Sequence, residues 1–179
     1  MSTAAFRARR KAPPPPPLAR PLHRLHPAIL LATVFGLGRL PVTPATWTSA
    51  AALLPGWWLA HAGFMWLALA TAVAIIAGSW AAQLYARNSQ DPDPSPVVID
   101  EVAGQWLTLL PVTGAVAAEP RLLVAALLVF RLFDITKPWP GRWFERTQSG
   151  WKGIMLDDVA AGVYGAAVMA ALVWLLGRF

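Results

Sequence analysis

Residues 153–179 read GIMLDDVAAGVYGAAVMAALVWLLGRF, and this stretch places two acids against an apolar segment. The uncharged run from Val159 to Leu176 is long enough to enter a membrane, yet Asp157 and Asp158 stand directly at its start. An ionised carboxylate is costly to remove from water unless it is paired or binds a metal. The two acids therefore either cap a helix at a membrane surface or belong to a functional site.

The composition of the whole chain favours a membrane protein. Its 179 residues are 56% hydrophobic and only 13% charged, whereas a soluble domain typically carries about 25% charged residues. The chain contains 10 Trp, which favour membrane interfaces, and 17 Pro, which are tolerated in or beside spanning helices. It contains no Cys, which excludes a thiol nucleophile.

Basic residues are concentrated near the N-terminus, and no acid occurs before Asp91. Although a basic segment can bind nucleic acid, the apolar body behind it favours a cytoplasmic anchor against anionic lipid, so no nucleic-acid partner is expected. We predict a basic, proline-rich disordered tail over residues 1–26, which contains PPPPP at 13–17. A membrane-embedded domain is predicted over residues 27–179.

Uncharged segments bounded by Pro, Gly and charged residues predict an all-α membrane bundle with four or five embedded helices. The predicted helices cover residues 46–60, 63–86, 101–118, 121–135 and 158–176. The second is uncharged throughout and roughly 36 Å long, enough to cross a bilayer. The first is short for a full span, and Pro111 is expected to bend the third. Residues 87–100 and 136–156 are predicted to be loops.

The positive-inside rule predicts the orientation of this bundle. The basic tail and the basic loop 136–156 are both expected in the cytoplasm, and alternating helices return the chain to that side without adjustment. The cytoplasmic ends of three helices then carry five of the 9 acids in the chain: Asp100, Glu101, Asp134, Asp157 and Asp158.

Carboxylates from separate helix ends, together with nearby cations, suit a divalent cation and a phosphate. Mg²⁺ prefers carboxylates, waters and phosphate oxygens, and it can neutralise a phosphate and activate water. Arg131, Asp134 and Lys137 are spaced three apart on roughly one helix face, where the two cations suit phosphate. Each acid pair taken alone also fits a helix cap, and Arg131 with Asp134 also fits an internal ion pair.

Three sequence blocks resemble the phosphatidylglycerophosphatase A family. They are VVIDEVAG at 97–104, FRLFDITKPWP at 130–140 and GIMLDDVAAGVY at 153–164, and their order and spacing also fit over about residues 30–176. A fourth block, GLGRLPVTPATWTS at 36–49, departs from the family pattern GxGxxPxxPGTxGS, because Ala45 and Thr48 replace two glycines. A glycine in such a turn often permits a positive φ angle or a close backbone approach.

The resemblance implies a Mg²⁺-dependent phosphatase of the bacterial cytoplasmic membrane, and the charge pattern predicts that its N-terminus and active site are on the cytoplasmic side. It would remove the terminal phosphate of phosphatidylglycerophosphate and leave phosphatidylglycerol. We expect the metal ligands and catalytic carboxylates to be Asp100, Glu101, Asp134, Asp157 and Asp158. Arg131 and Lys137 are expected to contact the phosphate, and Thr46 to hydrogen-bond it.

Several alternatives remain open at the level of sequence. Metal-activated water is the first choice of nucleophile, with an aspartyl-phosphate intermediate as the other route. The substrate is alternatively another phosphorylated lipid or a small phosphomonoester. Outside enzymes, the acids also suit an ion-coupled transporter, which is expected to hold them near mid-membrane on opposed helices.

Overall fold

A computed structural model describes residues 13–113 and 119–176 of the chain. Within these two ranges the protein has seven α-helices, a short 3₁₀-helix at Leu37–Arg39 and no strand, which confirms the all-α prediction there. The α-helices are α1 (Pro27–Ala32), α2 (Pro44–Ala62), α3 (Phe64–Ser89), α4 (Ile99–Leu109), α5 (Pro120–Thr136), α6 (Gly141–Thr147) and α7 (Trp151–Leu176).

The predicted helices 46–60, 63–86 and 121–135 correspond to α2, α3 and α5. Pro44 and Pro120 occupy the start of α2 and α5, where a missing N–H removes no intrahelical bond. The predicted helix 101–118 is too long, because α4 ends at Leu109. Pro111 lies in the turn that follows, since it has no N–H with which to extend the helix. Residues 114–118 lie outside the described residues.

The prediction of a loop over residues 136–156 is wrong. This segment contains α6 and the first turns of α7, which begins at Trp151 and not at residue 158. The charges of the segment resemble those of a loop, but Arg142, Glu145 and Arg146 lie on the exposed face of the short helix α6. Gly150 has a φ angle of +63° in the break between α6 and α7. Asp157 and Asp158 therefore lie inside α7 and do not cap it, contrary to the helix-cap interpretation.

Helices α3 and α7 are long and apolar enough to cross a membrane. Both have 26 residues, and only 28% and 22% of their apolar 18-residue windows are buried within the protein. α3 exposes a stripe of large apolar side chains at helical spacing, comprising Leu69, Val73, Ile76 and Trp80. α5 exposes a similar stripe, comprising Val124, Leu128, Leu132 and Ile135. Because lipid can cover such surfaces, they suggest membrane association.

Helix α4 lies at the centre of the bundle and packs against α2, α3, α5 and α7. Its contact with α7 depends on two glycines. A Cβ added to Gly104 would lie 2.8 Å from the backbone oxygen of Asp158, and a Cβ added to Gly162 would lie 2.7 Å from the backbone oxygen of Gly104. Glycine at both positions therefore allows the two helices to approach closely, which brings Asp158 near the first turn of α4.

The described part of the predicted tail contacts the C-terminal end of α3. The backbone N–H of Leu22 donates to Oδ1 of Asn88 at 2.7 Å. Arg87 donates to the carbonyl oxygens of Pro16 at 2.9 Å and Pro17 at 3.3 Å. These contacts hold the proline segment against the bundle. The predicted disorder of residues 1–12 concerns a segment outside the described ranges and stays a prediction.

Candidate active site

A half-buried arginine on α5 is paired with two acids at one end of the bundle. Nη1 of Arg131 on α5 donates to both carboxylate oxygens of Glu101 on α4 at 2.8 Å, and it lies 2.7 Å from Oδ2 of Asp134. The hydroxyl of Ser49 on α2 donates to Oε2 of Glu101 at 2.8 Å. Glu101 is only 6% exposed, so these partners replace the water that its carboxylate loses. We name these four residues the Arg131 group.

Asp158 on α7 completes a centre of three carboxylates with this group. One oxygen from each of Glu101, Asp134 and Asp158 lies within 4.8 Å of the other two. Asp158 is 4% exposed, and its buried Oδ2 has no hydrogen-bond partner in the described part of the chain. Three hard oxygen donors at this separation, one of them unpaired, fit a divalent cation such as Mg²⁺.

A second ion-paired cluster lies where α5 ends. Lys137 follows α5 in a left-handed backbone conformation, with Nζ 2.7 Å from Oδ2 of Asp157 and 3.2 Å from Oε1 of Glu145. Burial alone lowers the pKa of Lys137, but the charge of Asp157 and the hydrogen bond to it outweigh burial and raise this pKa above its ordinary value. Lys137 is therefore a cation at neutral pH. We name these three residues the Lys137 group, which connects α5, α6 and α7.

The structure brings the five predicted acids to the same end of the bundle but divides them. Glu101, Asp134 and Asp158 form the three-carboxylate centre. Asp157 pairs with Lys137, although its Oδ1 is buried and has no partner among the described residues. Asp100 lies in the first turn of α4, where its Oδ1 accepts the backbone N–H of Glu101 at 3.0 Å.

The three predicted phosphate contacts differ in their surroundings. Arg131 and Lys137 both donate to acids, but the buried Nε of Arg131 has no partner within the two described ranges. Thr46 is exposed in the first turn of α2. Ser49, nearly one turn later, is the α2 residue that contacts Glu101. Ser49 had no predicted role, although its place in the fourth block was the sequence signal that could have identified it.

Two further buried polar side chains were missed by the sequence analysis. Gln105 lies one turn after Glu101 on α4, is fully buried, and has neither amide atom paired in the described part of the protein. Thr48 is also fully buried, and its Oγ1 is likewise unpaired there. Because unpaired buried polar atoms are costly, the two side chains mark a polar interior close to the acids. Gln105 is four residues after Glu101 and therefore on the same helix face, which was the sequence signal that could have identified it.

The two departures from the family pattern in the fourth block have no backbone consequence in this structure. Ala45 and Thr48 both lie within α2, where the helical backbone accepts any L residue. The left-handed residues of this region are elsewhere, at Gly36 with a φ angle of 100° and Thr43 with a φ angle of 44°. A glycine at position 45 or 48 is therefore not required for a positive φ angle.

Comparison with known proteins identifies a family that the chain resembles over most of its length. The model of the family described as Phosphatidylglycerophosphatase A matches residues 30–173. Phosphatidylglycerophosphatase A of Escherichia coli strain K12 is 34% identical over 145 residues, which cover 80% of this chain and 82% of the relative. The Haemophilus influenzae protein of the same name is 34% identical over 158 residues, covering 85% and 93%.

A relative with a different name is equally similar. The putative phosphatidylinositol-3-phosphatase of Bacteroides thetaiotaomicron is 38% identical over 162 residues, which cover 83% of this chain and 95% of the relative. No solved structure matches the chain significantly.

Proposed function

The chain belongs to the phosphatidylglycerophosphatase A family and is a phosphoric monoester hydrolase, and we propose that it hydrolyses phosphatidylglycerophosphate to phosphatidylglycerol and phosphate. The names of the Escherichia coli and Haemophilus influenzae relatives support this substrate. The observation that carries the proposal within this chain is the three-carboxylate centre of Glu101, Asp134 and Asp158. Such a centre suits a phosphate substrate that arrives with a divalent cation.

We propose Mg²⁺ as the cofactor, because every ligand that the centre offers is a hard carboxylate oxygen. Glu101, Asp134 and Asp158 would hold the ion, with Asp100 and Asp157 as the further proposed acids beside it. When bound, a divalent cation supplies positive charge that neutralises phosphate and lowers the pKa of water. One of the five acids accepts the proton of the attacking water in this mechanism, and an aspartyl-phosphate route is the alternative.

The cations have two proposed roles in this mechanism. Arg131 holds Glu101 and Asp134 in position through Nη1, and its unpaired Nε–H is the proposed donor to the substrate phosphate. Lys137 positions Asp157 and adds a positive charge that attracts the phosphate. Thr46, exposed at the start of α2, remains a proposed hydrogen-bond donor to the phosphate.

We propose a multi-pass protein of the bacterial cytoplasmic membrane with its N-terminus and active site on the cytoplasmic side. The apolar surfaces of α3 and α7 and the basic residues near the site support this arrangement. The acids occupy the first turn of α4, the last turn of α5 and the second turn of α7. Positions near helix ends favour a lipid headgroup at the interface over the transporter alternative, which needs acids at mid-membrane.

A second substrate is favoured by one comparison. The Bacteroides thetaiotaomicron relative is named a putative phosphatidylinositol-3-phosphatase, so a phosphoinositide monoester is the alternative substrate. Both candidate lipids carry a phosphate monoester on a polyol that a phosphodiester joins to the lipid.

The test is phosphate release from phosphatidylglycerophosphate by the purified protein in neutral detergent micelles, with Mg²⁺ or with EDTA. We expect release to require Mg²⁺ and to fall on the order of 10³-fold in Asp158→Asn, because the variant loses a carboxylate ligand of the centre. Asp91→Asn is the matched control, since Asp91 lies in the turn before α4 and accepts from the backbone N–H of Asp93. Circular dichroism checks that each variant is folded.

Each other result rejects a defined part of the proposal. Release that persists in EDTA rejects the metal. A folded wild-type protein that acts on phosphatidylinositol 3-phosphate but not on phosphatidylglycerophosphate rejects the substrate and favours the alternative.

A further inference from the structure

We propose that a basic pocket between the end of α5 and α6 binds the phosphodiester of the substrate headgroup, while the carboxylate centre binds the phosphate monoester. This inference rests on the proposed function, because it concerns the second phosphate of the same lipid. The pocket has a volume of about 370 Å³ and is lined by Lys137, Trp139, Arg142, Trp143 and Arg146, among others. We name it the α6 pocket.

The α6 pocket has the donors that a phosphate needs. Arg142 and Arg146 are four residues apart on α6 and line the same cavity. Nη2 of Arg142 donates to the carbonyl oxygen of Thr136 at 2.9 Å, which holds this guanidinium across the end of α5. A guanidinium presents several N–H donors in a fixed plane that matches phosphate oxygens. The acid nearest in sequence, Glu145, pairs with Lys137, which reduces its repulsion of an anion.

Lys137 connects the α6 pocket to the carboxylate centre. It lines the pocket, and its Nζ lies 2.7 Å from Oδ2 of Asp157, the residue directly before Asp158. In phosphatidylglycerophosphate a single glycerol separates the monoester from the diester. A headgroup whose monoester lies at Asp158 therefore has its diester close by, and the α6 pocket is a cationic cavity lined by Lys137, the partner of Asp157.

Two exposed tryptophans place the α6 pocket at the level of lipid headgroups. Trp139 is 76% exposed and Trp143 is 48% exposed, and exposed Trp beside Arg is typical of membrane interfaces. The hydroxyl of Tyr164 on α7 donates to the carbonyl oxygen of Trp139 at 2.8 Å, so the wall that carries Trp139 is fixed to α7. General anchoring to anionic lipid is the competing explanation of this surface, and it predicts no preference among phosphate ligands.

The experiment uses two products of the reaction as probes, because each carries only one of the two groups. Phosphatidylglycerol keeps the diester and lacks the monoester, whereas inorganic phosphate lacks the diester. Both are tested as inhibitors of phosphatidylglycerophosphate hydrolysis in neutral detergent micelles. Arg146→Ala is the main variant, because Arg142 also bonds to Thr136. Lys152→Ala is the control, since it removes an exposed cation from the same end of the bundle.

We expect Arg146→Ala to raise both KM and the inhibition constant of phosphatidylglycerol about five- to tenfold, as for loss of one charge-assisted bond. The values of kcat and of the inhibition constant of phosphate should change by less than about twofold. Arg146→Lys should recover part of the loss, since it restores the charge but not the planar donor pair. Lys152→Ala should leave all four constants unchanged.

Other outcomes overturn the inference while the proposed function stands. Equal weakening of both inhibitors would show general electrostatic attraction, and a fall in kcat alone would show a structural role. An unchanged Arg146→Ala enzyme would show that the α6 pocket does not bind the diester. A wild-type protein without activity on phosphatidylglycerophosphate would instead reject the proposed function, and the inference with it.

Discussion

The Arg131 group and the Lys137 group are built alike but differ in burial. Side chains of Arg131, Glu101 and Asp134 are 16%, 8% and 11% exposed. In the Lys137 group, Asp157 is also only 8% exposed, but Lys137 and Glu145 are 25% and 41% exposed. Removing one partner of a buried ion pair typically costs about 3–5 kcal/mol, while an exposed pair contributes about 0–1 kcal/mol. The Arg131 group should therefore determine the stability of the site, and the Lys137 group its connection to the substrate.

Arg131→Ala is the strongest way to test this difference. The variant leaves Glu101 and Asp134 buried without their cation, so the free energy of unfolding should fall by about 3–5 kcal/mol in EDTA. Mg²⁺ should restore more stability to the variant than to the wild type, because the three carboxylates remain and bind the folded state. Denaturant unfolding in detergent, with and without Mg²⁺, measures both effects.

The control for this variant is Arg121→Ala at the other end of α5, where the side chain is 94% exposed. It should unfold like the wild type under both conditions. If Arg131→Ala were as stable as the wild type in EDTA, the distinction between the two groups would be lost.

Gly162→Leu should disturb the carboxylate centre by separating α7 from α4. The added side chain meets the backbone oxygen of Gly104 at 2.7 Å and Cβ of Leu107 at 2.8 Å, so α7 must move away from α4. We expect a loss of about 1–3 kcal/mol in the free energy of unfolding and at least about a hundredfold loss of phosphatase activity. Ala167→Leu, on the exposed face of α7, is the control and should change neither quantity. An active Gly162→Leu enzyme would argue against a requirement for close α4–α7 packing.

The helices that the sequence predicted well are those that are apolar along most of their length. α2, α3 and α5 are apolar runs between Pro, Gly and charged residues, so their approximate ends follow from composition. α6 and the start of α7 carry many charges, and tertiary contacts such as that of Lys137 with Glu145 decide their structure. Local sequence does not contain that information, which is why residues 136–156 were predicted to be a loop.

The candidate site shows the same difference between features that follow from composition and features that depend on tertiary contacts. Acids in an apolar chain are a strong signal, because burial without a partner is so costly, and the structure places all five predicted acids at one end. Ser49 and Gln105 were missed because one polar residue in a helix does not reveal what it faces. That depends on how α2 and α4 rotate against their neighbours, and therefore on packing.

Substitution of Lys137 tests the more exposed group. Lys137→Met removes the partner of Asp157 and one wall of the α6 pocket, and should lower kcat/KM about tenfold. Its free energy of unfolding should fall by about 1–3 kcal/mol, less than for Arg131→Ala, since Lys137 and Glu145 are partly solvated although Asp157 is buried. Lys137→Arg is the matched variant, which keeps the charge and should retain most activity. A stability loss equal to that of Arg131→Ala would show that the two groups do not differ.

The smallest expected effects separate two hydroxyls of α2. Ser49→Ala removes the 2.8 Å hydrogen bond to Glu101 and should cost about 1 kcal/mol of unfolding free energy, since Arg131 still holds that carboxylate. Thr46 lies on an exposed part of α2, so Thr46→Ala should not change the free energy of unfolding. If Thr46 contacts phosphate, KM should rise about two- to threefold without a change in kcat. An unchanged KM would remove Thr46 from the site. A Ser49→Ala variant as stable as the wild type would show that the hydrogen bonds from Arg131 alone are enough for the buried carboxylate of Glu101.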